Sequence, residues 1–160
     1  MDAQAVFQAH HLALYRWLRR ATGRDDVAED LLQETFLRAV RVSPGPPAGE
    51  ERAWLYGVAR NLLLNRKRDQ ARRPSFESGE NGLRSPAPSL DLGLDLSTAI
   101  DQLPAPESEA FLLREVGGLG YLEIAHVVGG TADAVRNRIF RARQALRGAL
   151  RLPAARTEDR

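Results

Sequence analysis

The stretch YLEIAHVVGGTADAVRNRIFRARQALRGAL, residues 121–150, decides the fold. Tyr121 to Val128 has helical spacing, Gly129 and Gly130 break it, and Thr131, a good N-cap, opens a second helix running to about Leu150. Val135, Ile139, Ala142, Leu146 and Leu150 recur at steps of four, three, four and four, so they form one stripe. That stripe is predicted to face the core with Ile124, Ala125 and Val128. Two helices joined by a tight glycine turn have the layout of a helix-turn-helix, whose second helix enters the DNA major groove by its N-terminal half.

The buried stripe leaves Asp133, Ala134, Arg136, Asn137, Arg138 and Arg141 around the outer half of the last helix, next to Thr131. Arginine reads guanine through two hydrogen bonds and asparagine reads adenine, each worth about 1 to 3 kcal/mol of discrimination. A solvated arginine-rich face is the alternative reading. Arg143 and Arg147 lie further along, where phosphate or water is the expected neighbour.

Upstream, Ser97 to Leu103 and Pro106 to Val116 read as two more helical pieces, ended by Pro104 and by Gly117-Gly118. Residues 69–96 are rich in Ser, Pro, Gly and acid and show no sustained period, which marks a linker. Before it, Val6, Leu12, Leu14, Tyr15 and Leu18 fit an amphipathic helix from Ala5 to Arg20, closed by Gly23. Asp26 with Glu29 three residues on has the pattern of a capping box opening a second helix. Its stripe is Ala28, Leu31, Leu32, Thr35, Phe36, Ala39 and Val40. Val42 to Glu51, with three prolines and two glycines, is a loop. A third helix follows through Leu55, Val58, Ala59, Leu62 and Leu63. No strand-type alternation of useful length occurs. The expected fold is all-α, with two small helical domains at 1–70 and 97–152, a flexible linker at 71–96 and a tail at 153–160.

The net charge of +2 conceals a segmental pattern. Residues 1–73 carry 13 basic and 9 acidic side chains, residues 74–96 carry 1 and 4, and residues 97–160 carry 9 and 8. Basic runs at Arg60 to Arg73 and Arg136 to Arg151 suit a polyanion gripped at two places. Only Lys67 among the 23 basic residues is lysine; selection for bidentate contacts and a GC-rich genome both give that bias.

Other classes find little support. Without cysteine there is neither a disulfide framework nor a zinc knuckle. His10 and His11 are adjacent on a helix, so their rings diverge by about 100 degrees, and no metal site is expected. Neither a nucleophile elbow nor a phosphate-binding loop motif is present, so no catalytic residues, cofactor or small-molecule ligand are expected, and the chain is not read as an enzyme. The acidic start Met1-Asp2 does not read as a secretion signal, and no apolar run reaches 18 residues, so no membrane insertion is expected.

Two faces of the N-terminal half stand out. Opposite the stripe of the second helix lie Asp30, Gln33, Glu34, Leu37, Arg38 and Arg41, a mixed face with an outward leucine that suits a protein partner better than DNA. The third helix carries Arg60, Asn61, Asn65, Arg66, Lys67 and Arg68 after Trp54 and Tyr56. Basic and aromatic groups interleaved on one element can stack an unpaired base and hold its phosphates, although Trp54 is equally readable as a core plug.

AEDLLQETFLRA (residues 28–39) followed by RAWLYGVARNLLLNRKR (residues 52–68) resembles region 2 of bacterial RNA polymerase sigma factors, and residues 96–150 resemble their region 4. With only these two regions and a short linker, the chain is similar to the extracytoplasmic function (ECF) subfamily. The resemblance implies a cytoplasmic transcription initiation factor that binds core RNA polymerase at the β′ clamp and β flap and recognises promoter DNA. It implies that Asp30, Gln33, Glu34 and Leu37 dock on the clamp, and that Trp54, Arg60, Asn61, Asn65, Arg66, Lys67 and Arg68 capture the melted minus-10 strand. The loop from Val42 to Arg52 would help form a pocket for a flipped base. Thr131, Asp133, Ala134, Arg136, Asn137, Arg138 and Arg141 would sit on the minus-35 element, and an anti-sigma factor is an implied partner. The chain departs from the pattern at Gly120, where a serine cap is usual, and in the turn from Gly130 to Ala134. A helix-turn-helix regulator working without polymerase is the rival reading; it leaves the Asp30 face and the Asn61 helix unused.

Overall fold

The computed structural model describes residues 2–42, 44–72 and 92–150. They form α1 (Ala3–Thr22), α2 (Asp25–Arg41), α3 (Glu51–Arg72), α4 (Leu92–Asp101), α5 (Ala105–Glu115), α6 (Tyr121–Val128) and α7 (Ala132–Leu150), and no strand is found among the described residues. The all-α expectation holds. The expected tail, and most of the expected linker, lie outside the described residues.

Local chemistry sets the ends of the helices. The Asp2 carboxylate accepts from the backbone N–H groups of Gln4 and Ala5, 3.1 and 3.3 Å away, and opens α1. Gly23 closes it at φ 72°, a left-handed conformation that suits glycine. The capping box expected at Asp26 is not formed: α2 starts at Asp25, and its N-cap is Arg24, which makes no side-chain cap bond. Instead Asp25 binds across to α1, accepting from the Tyr15 hydroxyl at 3.1 Å and pairing with Arg19. Asp26 pairs with Arg24 at 2.9 Å, and that partner holds its carboxyl below the usual range. α4 begins at Leu92, not at Ser97, so the end of the expected linker is helical. At α7 the Thr131 hydroxyl accepts from the Ala134 N–H at 3.1 Å, the cap expected there.

One apolar cluster runs through both halves of the chain. It joins Leu14, Trp17, Leu18, Leu31, Phe36, Leu55, Tyr56 and Leu63 to Leu113, Leu119, Ile124, Val135 and Ile139. Trp17, Val27, Tyr56 and Val127 are buried although no expected stripe included them. Conversely Leu12 is 52% exposed and Val40 65%, so the stripes of α1 and α2 are narrower than their spacing implied. Val128 is only half-buried, because the face of α6 that meets the core runs through Ile124, Ala125 and Val127.

The seam between the halves is close-packed at Gly117. A Cβ there would lie 2.7 Å from the Leu113 carbonyl oxygen and 3.1 Å from Cε1 of Tyr56. Only glycine lets the loop come so near. Tyr56, wholly buried, also stacks edge-on against Trp17 with ring centroids 5.5 Å apart. Its hydroxyl donates to the Gly117 carbonyl at 3.5 Å, and burial pushes its pKa well up.

Candidate nucleic-acid interface

The outer face of α7 is open to solvent. Thr131, Asp133, Arg136, Asn137 and Arg141 are exposed, while Ala134 and Arg138 are half-buried. Arg136 donates to the Asp133 carboxylate at 3.0 Å, which orients its guanidinium along the helix. The same guanidinium lies 5.1 Å from the ring centroid of Tyr121, and that of Arg114 lies 4.6 Å from it. Cations over a tyrosine face are attracted by the ring quadrupole, so Tyr121 gathers two arginines at one point. Arg114 also donates to the Leu119 carbonyl at 3.1 Å.

These groups line a groove of about 540 Å³ with Asn137, Ile139, Phe140 and Arg143. Arg143 therefore belongs to the same groove as Arg136 and Asn137, although its spacing placed it further along; it pairs with Glu115 at 3.0 Å. Arg141 pairs with Glu107 at 3.4 Å. Arg114, Tyr121 and Phe140 are candidates that the sequence reading left out. For Phe140 the sequence held a signal, a phenylalanine off the apolar stripe of an arginine-rich helix; it is 57% exposed and lines the groove.

α3 divides its candidates among three surroundings. Trp54 and Asn61 line one cleft of about 510 Å³ with Pro46 and Pro47 of the preceding loop and with Leu122, Glu123 and His126 of α6. Trp54 is half-buried and also packs on the core, so it serves as plug and as wall together. Arg60 pairs with Glu109 of α5, and the two side chains are 24% and 29% exposed. Asn65, Lys67 and Arg68 are exposed toward the end of α3, while Arg66 is half-buried with its Nε lacking an acceptor.

A second cross-seam pair stands beside the cleft. Arg52 donates to Glu123 from Nε at 2.8 Å and again from Nη2. Those hydrogen bonds hold the Glu123 carboxyl below its ordinary value and push the Arg52 pKa up. Glu123 also accepts from the Gly120 N–H at 3.0 Å, so the chain caps α6 without the usual serine. His10 faces this pair, and burial first, then Arg52, lowers its pKa.

On α2 the residues Asp30, Gln33 and Leu37 are exposed, Glu34 is half-buried, and Glu34 pairs with Arg38 at 3.2 Å. The structure thus brings the four into one solvent face with an apolar centre, Leu37, 47% exposed.

The family description Sigma-70 region 2 matches residues 6–73, and Sigma-70 region 4 matches residues 93–146. ECF RNA polymerase sigma factor SigE of Mycolicibacterium smegmatis is 33% identical over 151 residues, which cover 89% of this chain and 59% of that protein's length. ECF RNA polymerase sigma factor SigC of Mycobacterium tuberculosis is 36% identical over 126 residues, 74% of this chain and 68% of that protein. Among solved structures, the sigma factor RpoE in complex with the anti-sigma factor NepR from Bartonella quintana superposes with a TM-score of 0.73 at 27% identity, covering 96% of this chain and 99% of that one. The chain belongs to the extracytoplasmic function subfamily of the sigma-70 RNA polymerase sigma factors. This is a family of transcription initiation factors rather than of enzymes. No helix among the described residues is long and apolar enough to cross a membrane.

Proposed function

We propose that the chain is a dissociable promoter-specificity subunit, cytoplasmic and without catalytic activity of its own. It docks on the β′ clamp of core RNA polymerase through Asp30, Gln33, Glu34 and Leu37. A carboxylate-bearing face with an apolar centre suits protein and repels DNA, which assigns α2 to the polymerase. Region 4 reads the minus-35 element with Arg136 and Asn137, helped by Arg138 and Arg141. Thr131, Asp133 and Ala134 set the entry turn, and the Arg114–Tyr121 contact supports Arg136 from behind. Trp54, Arg60, Asn61, Asn65, Arg66, Lys67 and Arg68 capture the melted minus-10 strand. Region 4 also meets the β flap, and an anti-sigma factor is a partner, as NepR is of the solved relative RpoE.

The observation that carries this reading is the separation of two exposed faces of different chemistry, the mixed face of α2 and the arginine groove of α7. A regulator acting alone has use for only the second. The test is transcription from a cognate promoter by purified core polymerase with and without the chain. Asn61→Ala is expected to bind polymerase as well as the parent while lowering permanganate reactivity of promoter thymines. Full reactivity with Asn61→Ala removes that residue from strand capture.

A further inference from the structure

The last turns of α3 carry a cationic group on the side away from the Trp54–Asn61 cleft. Successive residues of a helix turn by about 100 degrees. On α3 this sets Trp54, Asn61, Asn65 and Arg68 on one face, and turns Arg66 and Lys67 about 120 to 140 degrees away from Asn61, one to each side. Arg66 and Lys67 thus continue the face that carries Tyr56, Ala59 and Leu63 into the core. Such a face ordinarily continues in apolar residues. Here it ends in two cations and Gln70, against the turn that joins α1 to α2.

Thr22, Arg24, Leu63, Arg66, Lys67 and Gln70 line a pocket of about 210 Å³ at that turn, and among the described residues no carboxylate lines it. The Arg66 Nε is buried and lacks an acceptor, and neither Arg66 nor Lys67 forms an ion pair among the described residues. A buried charged donor without an acceptor is costly, and an anion seated beside it removes that cost. Arg24 is held by Asp26 through Nε and Nη2, at 3.2 and 2.9 Å, which leaves its Nη1 to the pocket.

We propose that this pocket binds a single phosphate group. Two unpaired cations and the remaining edge of Arg24 suit a dianion, and arginine meets phosphate through two parallel hydrogen bonds. At about 210 Å³ the pocket is smaller than the ~300 to 1,000 Å³ of sites that enclose a drug-sized ligand, so the phosphate group enters alone. It comes as the free ion or as one phosphate of a DNA backbone. The inference deepens the strand-capture reading and rests on it only for the DNA source: Arg66 and Lys67 hold a phosphate separate from those beside Asn61.

The experiment follows the Arg66 Nε–H nuclear magnetic resonance signal in the isotopically labelled full chain, assigned as the one lost in Arg66→Lys. Inorganic phosphate is titrated, with sodium chloride of equal ionic strength as the reference. Phosphate is expected to move the signal along a saturating curve that chloride does not reproduce. Lys67 is exposed, so Lys67→Gln is expected to fold like the parent and to bind phosphate at least about fivefold more weakly. Arg24→Gln should weaken it less, since Asp26 already holds most of that fork. No phosphate-specific shift, or binding as tight in Lys67→Gln as in the parent, overturns the inference. A short DNA duplex then gives the source. A shift of the same signal by duplex, reversed by inorganic phosphate, identifies a backbone phosphate; a shift by inorganic phosphate alone identifies the free ion, and both uphold the site. Asn61→Ala keeps the two readings apart. If melting ignores Asn61 while phosphate still moves the Arg66 signal, the strand assignment fails and the pocket stands. If melting needs Asn61 and phosphate leaves that signal unmoved, the pocket fails alone.

Discussion

Two helices carry the basic runs, and the fold treats them in opposite ways. On α7 the arginines are partnered inside their own half: Arg136 with Asp133, Arg141 with Glu107, Arg143 with Glu115. On α3, Arg52 and Arg60 are partnered by the other half, through Glu123 and Glu109. A guanidinium held within its own half is oriented along that half, and its outer face stays in solvent. One held by the other half has its hydrogen-bonding edge occupied across the seam. Sequence charge is alike in the two places; the partner's position makes the difference.

The largest effect that breaks this contrast is expected at the seam. Tyr56 fills the space between Trp17 and Gly117 and is fully buried. Tyr56→Ala is expected to cost about 3 to 5 kcal/mol in urea unfolding, as truncations of large buried aromatics do. A loss below 1 kcal/mol would mean that the seam is not packed as described. Gly117→Ala adds the methyl group that clashes with Leu113 and Tyr56, and a loss of about 1 to 3 kcal/mol is expected from its melting temperature.

On the open face, Arg136→Ala should lower stability by no more than about 1 kcal/mol, because the side chain is exposed, its ionic partner lies on the same helix and only its contact with the Tyr121 ring reaches another. It should forfeit about 1 to 3 kcal/mol of discrimination, roughly five- to 150-fold, between cognate and mutated minus-35 elements. Equal weakening on every promoter would make Arg136 a phosphate contact.

The smallest effect sharpens the contrast through pH. His10 stands by the Arg52–Glu123 pair with its pKa lowered from 6.5, so the folded chain favours its neutral form. The unfolded chain takes up that proton first; the associated stability is present above pH 6.5 and declines as pH falls from there toward the depressed folded value. Glu123, with its pKa lowered from 4.5, begins to lose its contribution only in more acidic solution, below that value. Urea unfolding should therefore show stability declining from pH 7 to pH 5, with Glu51 and Glu123 opposing the change and Arg52 promoting it. His10→Gln should flatten the profile; a flat parent profile would take His10 out of the seam.

Much of the fold was legible because it rests on local chemistry. α6 runs over the residues its spacing indicated, Gly23 and Thr131 cap where expected, and four of the five α7 stripe residues are buried. What escaped depends on contacts distant in sequence. Tyr56 read as a surface aromatic because its burial is completed by a loop 61 residues away. The Arg60–Glu109 and Arg52–Glu123 pairs join residues 49 and 71 positions apart, and long charged side chains leave no period in the sequence to betray their partners. The α2 start was misread because Asp26 fits a cap pattern while Asp25 is drawn to Tyr15 and Arg19. Tyr121 passed as a plain helix start, since its role appears only when Arg114 and Arg136 converge on its ring.

That Glu109 and Arg60 belong to one polypeptide has a consequence for dosage. A contact between separate molecules forms more completely as their concentration rises. A contact within one chain does not, so the fraction of molecules that make the Arg60–Glu109 pair is the same however much protein the cell holds. Only something that binds one arrangement of the two halves better than another can shift it.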